Sequence, residues 1–285
     1  DGIPDQDDLC PTAKGSAAAK GCPDLSLYGY LPSDFVRVAG GTFQMGSNDY
    51  DSEKPIHAVT VPSFEMGKYE VTNAQFCLFL NDYGAEKVKS GNASGQTMIY
   101  EHDWGVKKAS GKWSPAPGYE NHPLVNVSWY GAVAYCEWLS QKTGQTYHLP
   151  SEAEWEYAAK GGNQSKAYQY AGSNTLKEVA WYSSNAGSKT HPVGQKNANE
   201  LGLYDLSGNV WEWCADTWHN TYAGAPANSS AWTSGGNQDL AVLRGGSWYN
   251  LDDSCRSANR VWPDRSARNN VTGLRVARVA SVGGR

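Results

Sequence analysis

Apolar and polar positions along this chain switch between a period of two and a period near 3.6, and neither is sustained for long. Phe35-Val36-Arg37-Val38-Ala39 alternates as a strand and runs into a Gly40-Gly41 turn, and 57–61 and 64–66 repeat the strand pattern. Thr72-Asn73-Ala74-Gln75 is a capping box, so a helix is predicted from there to about Gly84, with Ala74, Cys77 and Leu78 on one face. Ser128 caps a second helix, about 129–142, which carries Ala132, Cys136 and Leu139 on one stripe and stops at Gly144. Ser151-Glu152-Ala153-Glu154 is a second capping box; its helix runs to Lys160, stops at Gly161-Gly162, and uses Trp155 and Tyr157 as core anchors. Residues 85–120 lose the periodicity and read as a surface excursion anchored by Trp104 and Trp113; 220–236 read as another. Near the C-terminus, 243–248 is a strand breaking into a glycine turn, and 255–260 and 273–277 are strand-like. The sum is an α+β chain with low regular secondary structure and no repeat of solenoid period.

The segment between these elements that concentrates the most chemistry is 202–216, with two glycines, three acids, two tryptophans and a cysteine in fifteen positions. Gly208-Asn209 signals a turn, because both residues tolerate positive φ. That turn can bring Asp205 and Glu212 toward one point, and carboxylates with turn carbonyls form an oxygen-rich site suited to Ca²⁺. Solvated acids on a hairpin with two core tryptophans is the competing reading of the same residues.

Composition narrows the class. The 285 residues include 12 Trp, 17 Tyr, 31 Gly and only 5 Phe, which suits irregular backbone held by aromatics that also hydrogen bond. A net charge of −5 gives no basic footprint for nucleic acid, and no apolar run is long enough to span a membrane. The six cysteines have no zinc spacing and permit fifteen connectivities. The pairing Cys10–Cys22, Cys77–Cys136 and Cys214–Cys255 would use them all in an extracytoplasmic protein, whether periplasmic, cell-surface or secreted; a free reactive thiol is the alternative. The acidic, Pro-punctuated 1–34 is expected to be a tail, with the globular domain at 35–285. Around Cys10-Pro11 and Gly21-Cys22-Pro23-Asp24 the tail resembles a thrombospondin type 3 repeat, and a chain opening at Asp1 inside such a motif is expected to be trimmed from a longer precursor.

Taken in order, Gly40-Gly41-Thr42-Phe43-Gln44-Met45-Gly46, Tyr69-Glu70-Val71-Thr72-Asn73, Val127-Ser128-Trp129, 149–156, the 202–216 segment, Arg244-Gly245-Gly246-Ser247 and Gly273-Leu274-Arg275 resemble the formylglycine-generating enzyme (sulfatase-modifying factor) family over 35–280. The resemblance implies the irregular α+β fold related to C-type lectins. It also implies a Ca²⁺ site with Asp205 and Glu212 binding through side chains and Gly208 and Val210 through carbonyls. The family's other calcium site is not carried over, since 181–194 lacks its Asp-Gly-Phe. Catalysis in the family implies two cysteines that hold Cu(I) after the Arg-Gly-Gly-Ser turn, and soft thiolates suit that ion. Here Asn250 stands at the first position and Cys255 at the second by direct count, in a segment three residues short, so copper is not expected. Ser247 and Trp211 match pocket residues. Val276 stands where a disulfide partner of the Cys136 position is expected. The six histidines show no metal spacing.

The C-terminal frame, Arg244-Gly245-Gly246-Ser247-Trp248, 255–260 and 273–277, also resembles that of variable proteins diversified by retroelements, although Trp262 is not a residue that adenine mutagenesis of an Asn codon yields. The inserts between frame pieces are rich in Tyr, Trp, Asn and Asp, the chemistry of a binding surface. The expected function is therefore binding of a protein or glycan through Tyr249, Asn250, Leu251, Asp252, Asp253, Asn259, Val261, Trp262 and Asp264 and nearby tryptophans. The alternative is oxidation of a peptide cysteine or a related siderophore-maturation oxidation.

Overall fold

The computed structural model describes residues 25–280; the Cys10–Cys22 pairing and the thrombospondin-like segment lie outside them. In chain order the strands and helices are β1 (Phe35–Val38), β2 (Gly41–Met45), β3 (His57–Val61), β4 (Phe64–Gly67), α1 (Asn73–Tyr83), β5 (Val106–Ala109), β6 (Lys112–Pro115), α2 (Trp129–Thr143), β7 (Tyr147–His148), α3 (Glu152–Ala159), α4 (Leu176–Val179), β8 (Trp211–Trp218), β9 (Asn237–Arg244), β10 (Arg260–Val261), β11 (Thr272–Gly273) and β12 (Ala277–Val279).

The three predicted helices form where their caps place them. Thr72 accepts from Gln75 N–H at the start of α1, and Gly84 ends it at φ 68°. Ser128 caps α2 and Gly144 closes it at φ 70°. Ser151 and Glu154 make the reciprocal bonds that open α3. One face was misjudged: Leu78 is exposed, and α1 instead buries Phe76, Phe79 and Leu80 with Cys77. The reason is the aromatic cluster facing it, in which Phe79 packs edge-on to Tyr135 of α2 at 5.6 Å. Leu25, Tyr28 and Tyr30, assigned above to the tail, pack on the same cluster, and Tyr30 and Tyr135 share a hydroxyl hydrogen bond of 2.9 Å.

Two four-stranded sheets organise the rest, in the orders β1-β4-β12-β7 and β10-β9-β8-β11. β8 pairs antiparallel with β9 and parallel with β11. It is the wall between two cores. Trp211 and Trp213 face the core that holds α1 and α2, and Cys214 and Trp218 face the one that holds α3. Alternation along a strand sends successive side chains to opposite faces, and here both faces are dry.

The expected disulfides do not form among the described cysteines: Cys77, Cys136, Cys214 and Cys255 are buried free thiols. Cys77 and Cys136 fill the first core as small apolar side chains, whereas Cys214 lies in the second and Cys255 in a separate cluster with Tyr170 and Leu176. Residues 255–260 are also not a strand. A 3-10 turn, Asp252–Cys255, precedes a loop, because Arg256 is drawn across to Glu53 with bonds of 2.8 and 3.1 Å.

Candidate functional site

The turn that precedes β8 is rigidly specified. Asp205, Gly208 and Asn209 have φ of 58°, 79° and 58°. A Cβ at Gly208 would sit 2.3 Å from Trp181 O, so glycine is required there for space as well as for φ. Asn209 donates from its amide to Glu70 Oε2 at 2.6 Å and accepts from His191 N–H at 3.0 Å. Val210 N–H donates to Glu70 Oε1 at 3.1 Å.

The acids of this turn are not solvated. Asp205, Glu212 and Glu70 are each at most 2% exposed. Glu212 accepts from Arg275 Nη2 at 2.7 Å and from Trp155 Nε1 at 2.7 Å, and Arg275 reaches on to Gly67 O and Tyr204 O. Three carboxyl groups thus surround one guanidinium in a dry site, and Arg275 is hydrogen-bonded to Glu212 alone among them. Burial and the neighbouring carboxylates Asp205 and Glu212 push the Glu70 carboxyl well above its usual range. Burial pushes Asp205 up to about 6, against the Gly194 N–H and Arg275, which favour its charged form. One oxygen, Asp205 Oδ1, is buried with no hydrogen-bond partner in the structure. Among the described residues no three His, Cys, Asp or Glu side chains converge to chelate a metal by themselves, so a site here must draw on the turn carbonyls of Gly208 and Val210. The unpartnered Asp205 oxygen among buried carboxyls suits a hard dication such as Ca²⁺, which Glu212 would join by exchanging bonds it now makes to Arg275 and Trp155.

A second buried charge cluster lies under the other half of β8. Glu152 holds Arg260 through bonds of 2.7 and 2.9 Å, and Arg244 pairs with Glu156. Burial would raise the Glu156 carboxyl, but Lys160 and Arg244 hold it at about 2. Asp216 accepts from Glu152 N–H and Trp232 N–H, both at 2.7 Å, and burial and Glu152 push its carboxyl up to about 7. A folded pKa above the unfolded value of about 3.9 gives stability that is fully present below pH ~4 and lost as pH rises through ~7. Urea unfolding at pH 5 and pH 8 is therefore expected to show a loss of about 1–4 kcal/mol toward the higher pH, with a smaller slope in Asp216→Asn. An unchanged slope in the variant removes Asp216 as its source.

At the Trp211 end of β8, the residues expected to line an enzyme-like pocket do converge. Asn250 Oδ1 accepts from Trp211 Nε1 at 2.9 Å and from Ser247 Oγ at 2.5 Å. A Cβ on Gly246 would come within 2.7 Å of Cys255 Sγ, which places that thiol behind the same turn. Burial pushes the Cys255 thiol up to about 12, away from thiolate character. The donor set is one buried sulfur beside an amide already committed to two hydrogen bonds, and it does not fit a bis-thiolate Cu(I) site.

Of the nine residues expected to bind ligand, six fall into two surface patches, Asn250 lines the pocket and two serve the frame. Tyr249 and Leu251 are 69% exposed, next to exposed Asp252 and Asp253, at the Trp211 end. Asp253 is tied down by Tyr50 Oη at 2.8 Å and Arg256 Nε at 2.9 Å. Trp262, by contrast, stacks on Trp218 at 4.3 Å, with half-buried Val261 beside it. Seven residue steps along β8, at most about 23 Å of strand, separate Trp211 from Trp218, so Trp262 and the Tyr249 patch belong to different ends of that strand. Asn259 and Asp264 serve the frame: the Asn259 carbonyl accepts from Arg244 Nη1 at 2.7 Å, and Asp264 accepts from Ser266 N–H at 2.7 Å. The sequence reading missed the roles of Glu70 and Arg275, quoted only as motif letters, and of His219 and Trp232; a buried acid in Tyr69-Glu70-Val71 was the signal available for the first.

A family model described as the sulfatase-modifying factor enzyme 1-like domain matches residues 30–280. The chain is 36% identical over 87% of its length to the serine/threonine-protein kinase Pkn1 of Chlamydia trachomatis, of which it spans only 38%. It is 34% identical over 82% of its length to the formylglycine-generating enzyme of Mus musculus, covering 72% of that protein. Among solved structures, Treponema denticola variable protein 1 aligns at 30% identity with a TM-score of 0.67, over 86% of this chain and 95% of that one.

Proposed function

The chain belongs to the sulfatase-modifying factor enzyme 1-like domain family, and from that premise we propose that it is an extracytoplasmic, calcium-stabilised domain that binds a protein or glycan at its surface. The observation that carries this reading is Asn250. Where the family resemblance calls for a copper-holding cysteine, an amide is locked to Trp211 and Ser247. Immediately beside it, Tyr249 and Leu251 turn their side chains to solvent. A pocket closed by its own hydrogen bonds and bordered by exposed aromatic and apolar groups suits recognition better than thiol oxidation. Similarity to a variable protein that shares this fold supports the same reading.

In this proposal Asp205 and Glu212, with the Gly208 and Val210 carbonyls, would hold Ca²⁺. A bound dication would favour the ionised form of these carboxyls and tie down the turn from which β8 starts. The chain itself supplies the orienting contacts, with Glu70 holding Asn209 and Val210 N–H. The test is thermal and urea unfolding of chelator-treated protein with and without added Ca²⁺. Calcium at a hundredfold excess over its Kd is expected to stabilise the fold by about 2.7 kcal/mol, and Asp205→Ala is expected to remove that gain. No calcium effect on the wild type, or an equal effect on the variant, contradicts the site. The second reading, oxidation of a peptide thiol, draws on Ser247, Trp211 and Cys255 meeting at one turn and on similarity to a formylglycine-generating enzyme.

A further inference from the structure

The far end of β8 carries a groove of about 410 Å³ between Trp218 of β8, the loop 219–236, the start of β9 and Trp262 just after β10. Two aromatic stacks wall it. Trp262 lies on Trp218 with ring centres 4.3 Å apart, and Trp232 lies on His219 at 3.4 Å with the rings nearly parallel. Both stacks are held in place from behind. The Arg260 guanidinium sits 4.1 Å over Trp218, and both ring nitrogens of His219 meet carbonyl oxygens, of Thr217 at 3.0 Å and Ser234 at 3.1 Å. Trp232 N–H is fixed on Asp216. The outermost ring, Trp262, is 48% exposed. A large aromatic side chain that stays half in water on a well-ordered frame offers a flat apolar face at little entropic cost to a partner.

The polar side chains of the groove are the Asn220 and Asn237 amides, the Thr221 hydroxyl and the His219 ring. Asn220 Oδ1 accepts from Trp218 Nε1 at 2.9 Å and Asn237 Oδ1 accepts from Asp239 N–H at 3.1 Å. Each oxygen keeps one lone pair free, and each NH₂ group offers donors, so both side chains can hydrogen bond a hydroxyl-bearing ligand. No Asp, Glu, Lys or Arg lines the groove, although two arginines and three acids lie in the layer beneath. A charged ligand would find only the His219 ring to meet it, and both nitrogens of that ring are already bonded to carbonyl oxygens. A purely apolar one would leave the asparagine amides unpaired. A pyranose ring satisfies both requirements: its C–H face lies on an indole, and its hydroxyl oxygens accept from the amides. The geometry points to a neutral-oligosaccharide site formed by Trp218, Trp232, Trp262, His219, Asn220 and Asn237. It rests on the reading of this domain as a binding module and gives that module's glycan ligand a place and a chemistry.

The test is isothermal titration of the calcium-loaded protein with a panel of neutral oligosaccharides (gluco-, galacto-, manno-, xylo- and N-acetylglucosamine-containing), read in parallel by tryptophan fluorescence. At least one is expected to bind saturably, with affinity reduced tenfold or more in Trp262→Ala and in Asn237→Ala, both exposed positions, and changed by less than twofold in Tyr249→Ala. No saturable binding up to millimolar sugar overturns the proposal, as does binding that Trp262→Ala leaves intact or that Tyr249→Ala abolishes. The last result would keep the binding function and move its seat to the Tyr249 patch; the first would leave that patch as the site for a protein ligand, so failure of the groove is distinguishable from failure of the binding reading.

Discussion

Arg275→Met is expected to destabilise the protein by about 3–5 kcal/mol, enough to leave much of it unfolded in the absence of calcium. The side chain is fully buried and, from the segment leading into β12, donates to three parts of the structure: Glu212 on β8, Gly67 at the end of β4 and Tyr204 in the turn region. Methionine keeps much of the volume but leaves Glu70, Asp205 and Glu212 with no cation and two carbonyls without a donor. The cost is mostly that of stranded charge, so it should be relieved by a countercharge. Calcium is accordingly expected to stabilise Arg275→Met more than it stabilises the wild type. Urea unfolding with and without calcium measures both numbers. A variant within about 1 kcal/mol of wild type would mean that the three carboxyls are protonated in the native protein and that the charge argument for the cation fails.

Arg260→Met is expected to cost a similar 3–5 kcal/mol and to damage the surface as well as the core. Its guanidinium holds both oxygens of Glu152 and donates to Ser52 O and His219 O, each at 2.9 Å, while its plane backs Trp218 and lies 4.4 Å from Tyr222. Loss of the arginine leaves Glu152 with Arg244 at 3.2 Å and Tyr222 Oη at 3.0 Å. The double variant Glu152→Met/Arg260→Met removes both charges of the pair and is expected to recover part of the stability, because an isosteric apolar pair avoids the desolvation penalty. Denaturant midpoints of the two single variants and the double close the cycle. Additive losses would show that the pair is not coupled and that Arg260 acts through packing on Trp218 alone.

The helices were legible because a capping box states its position within a few residues: Thr72 with Gln75 and Ser151 with Glu154 each fixed a start, and Gly84 and Gly144 fixed ends. The Gly208-Asn209 turn was legible for the same reason, since positive φ is a local property of those residues. What escaped is non-local. Leu78 fits an amphipathic stripe as well as Phe79 does, and only the tyrosine and tryptophan on α2 decide which is buried. Cys77 and Cys136 belong on inward faces whether bonded or free, so periodicity could not separate a disulfide from two packed thiols. Glu70 lies more than a hundred residues from Asp205 and Glu212, and the pairing of β11 with β8 that brings Arg275 to them involves two residues. The insert 249–272 is contiguous in sequence, yet it carries Trp262 to the Trp218 end of β8 while its last residue, Thr272, pairs with Trp211 at the other end. Trp232 and His219 joined Trp262 only through that arrangement, in an excursion that sequence marks merely as polar.

The measurement that tests the central claim most directly is anaerobic competition for Cu(I) between the fully reduced protein and a chromophoric Cu(I) chelator, run on the wild type and on Cys255→Ser. A binding domain whose pocket holds Asn250 hydrogen-bonded to Trp211 and Ser247, with a single buried high-pKa thiol behind it, is expected to leave the metal on the chelator. Retention of one Cu(I) per chain that disappears in Cys255→Ser would contradict the account and return thiol oxidation to first place.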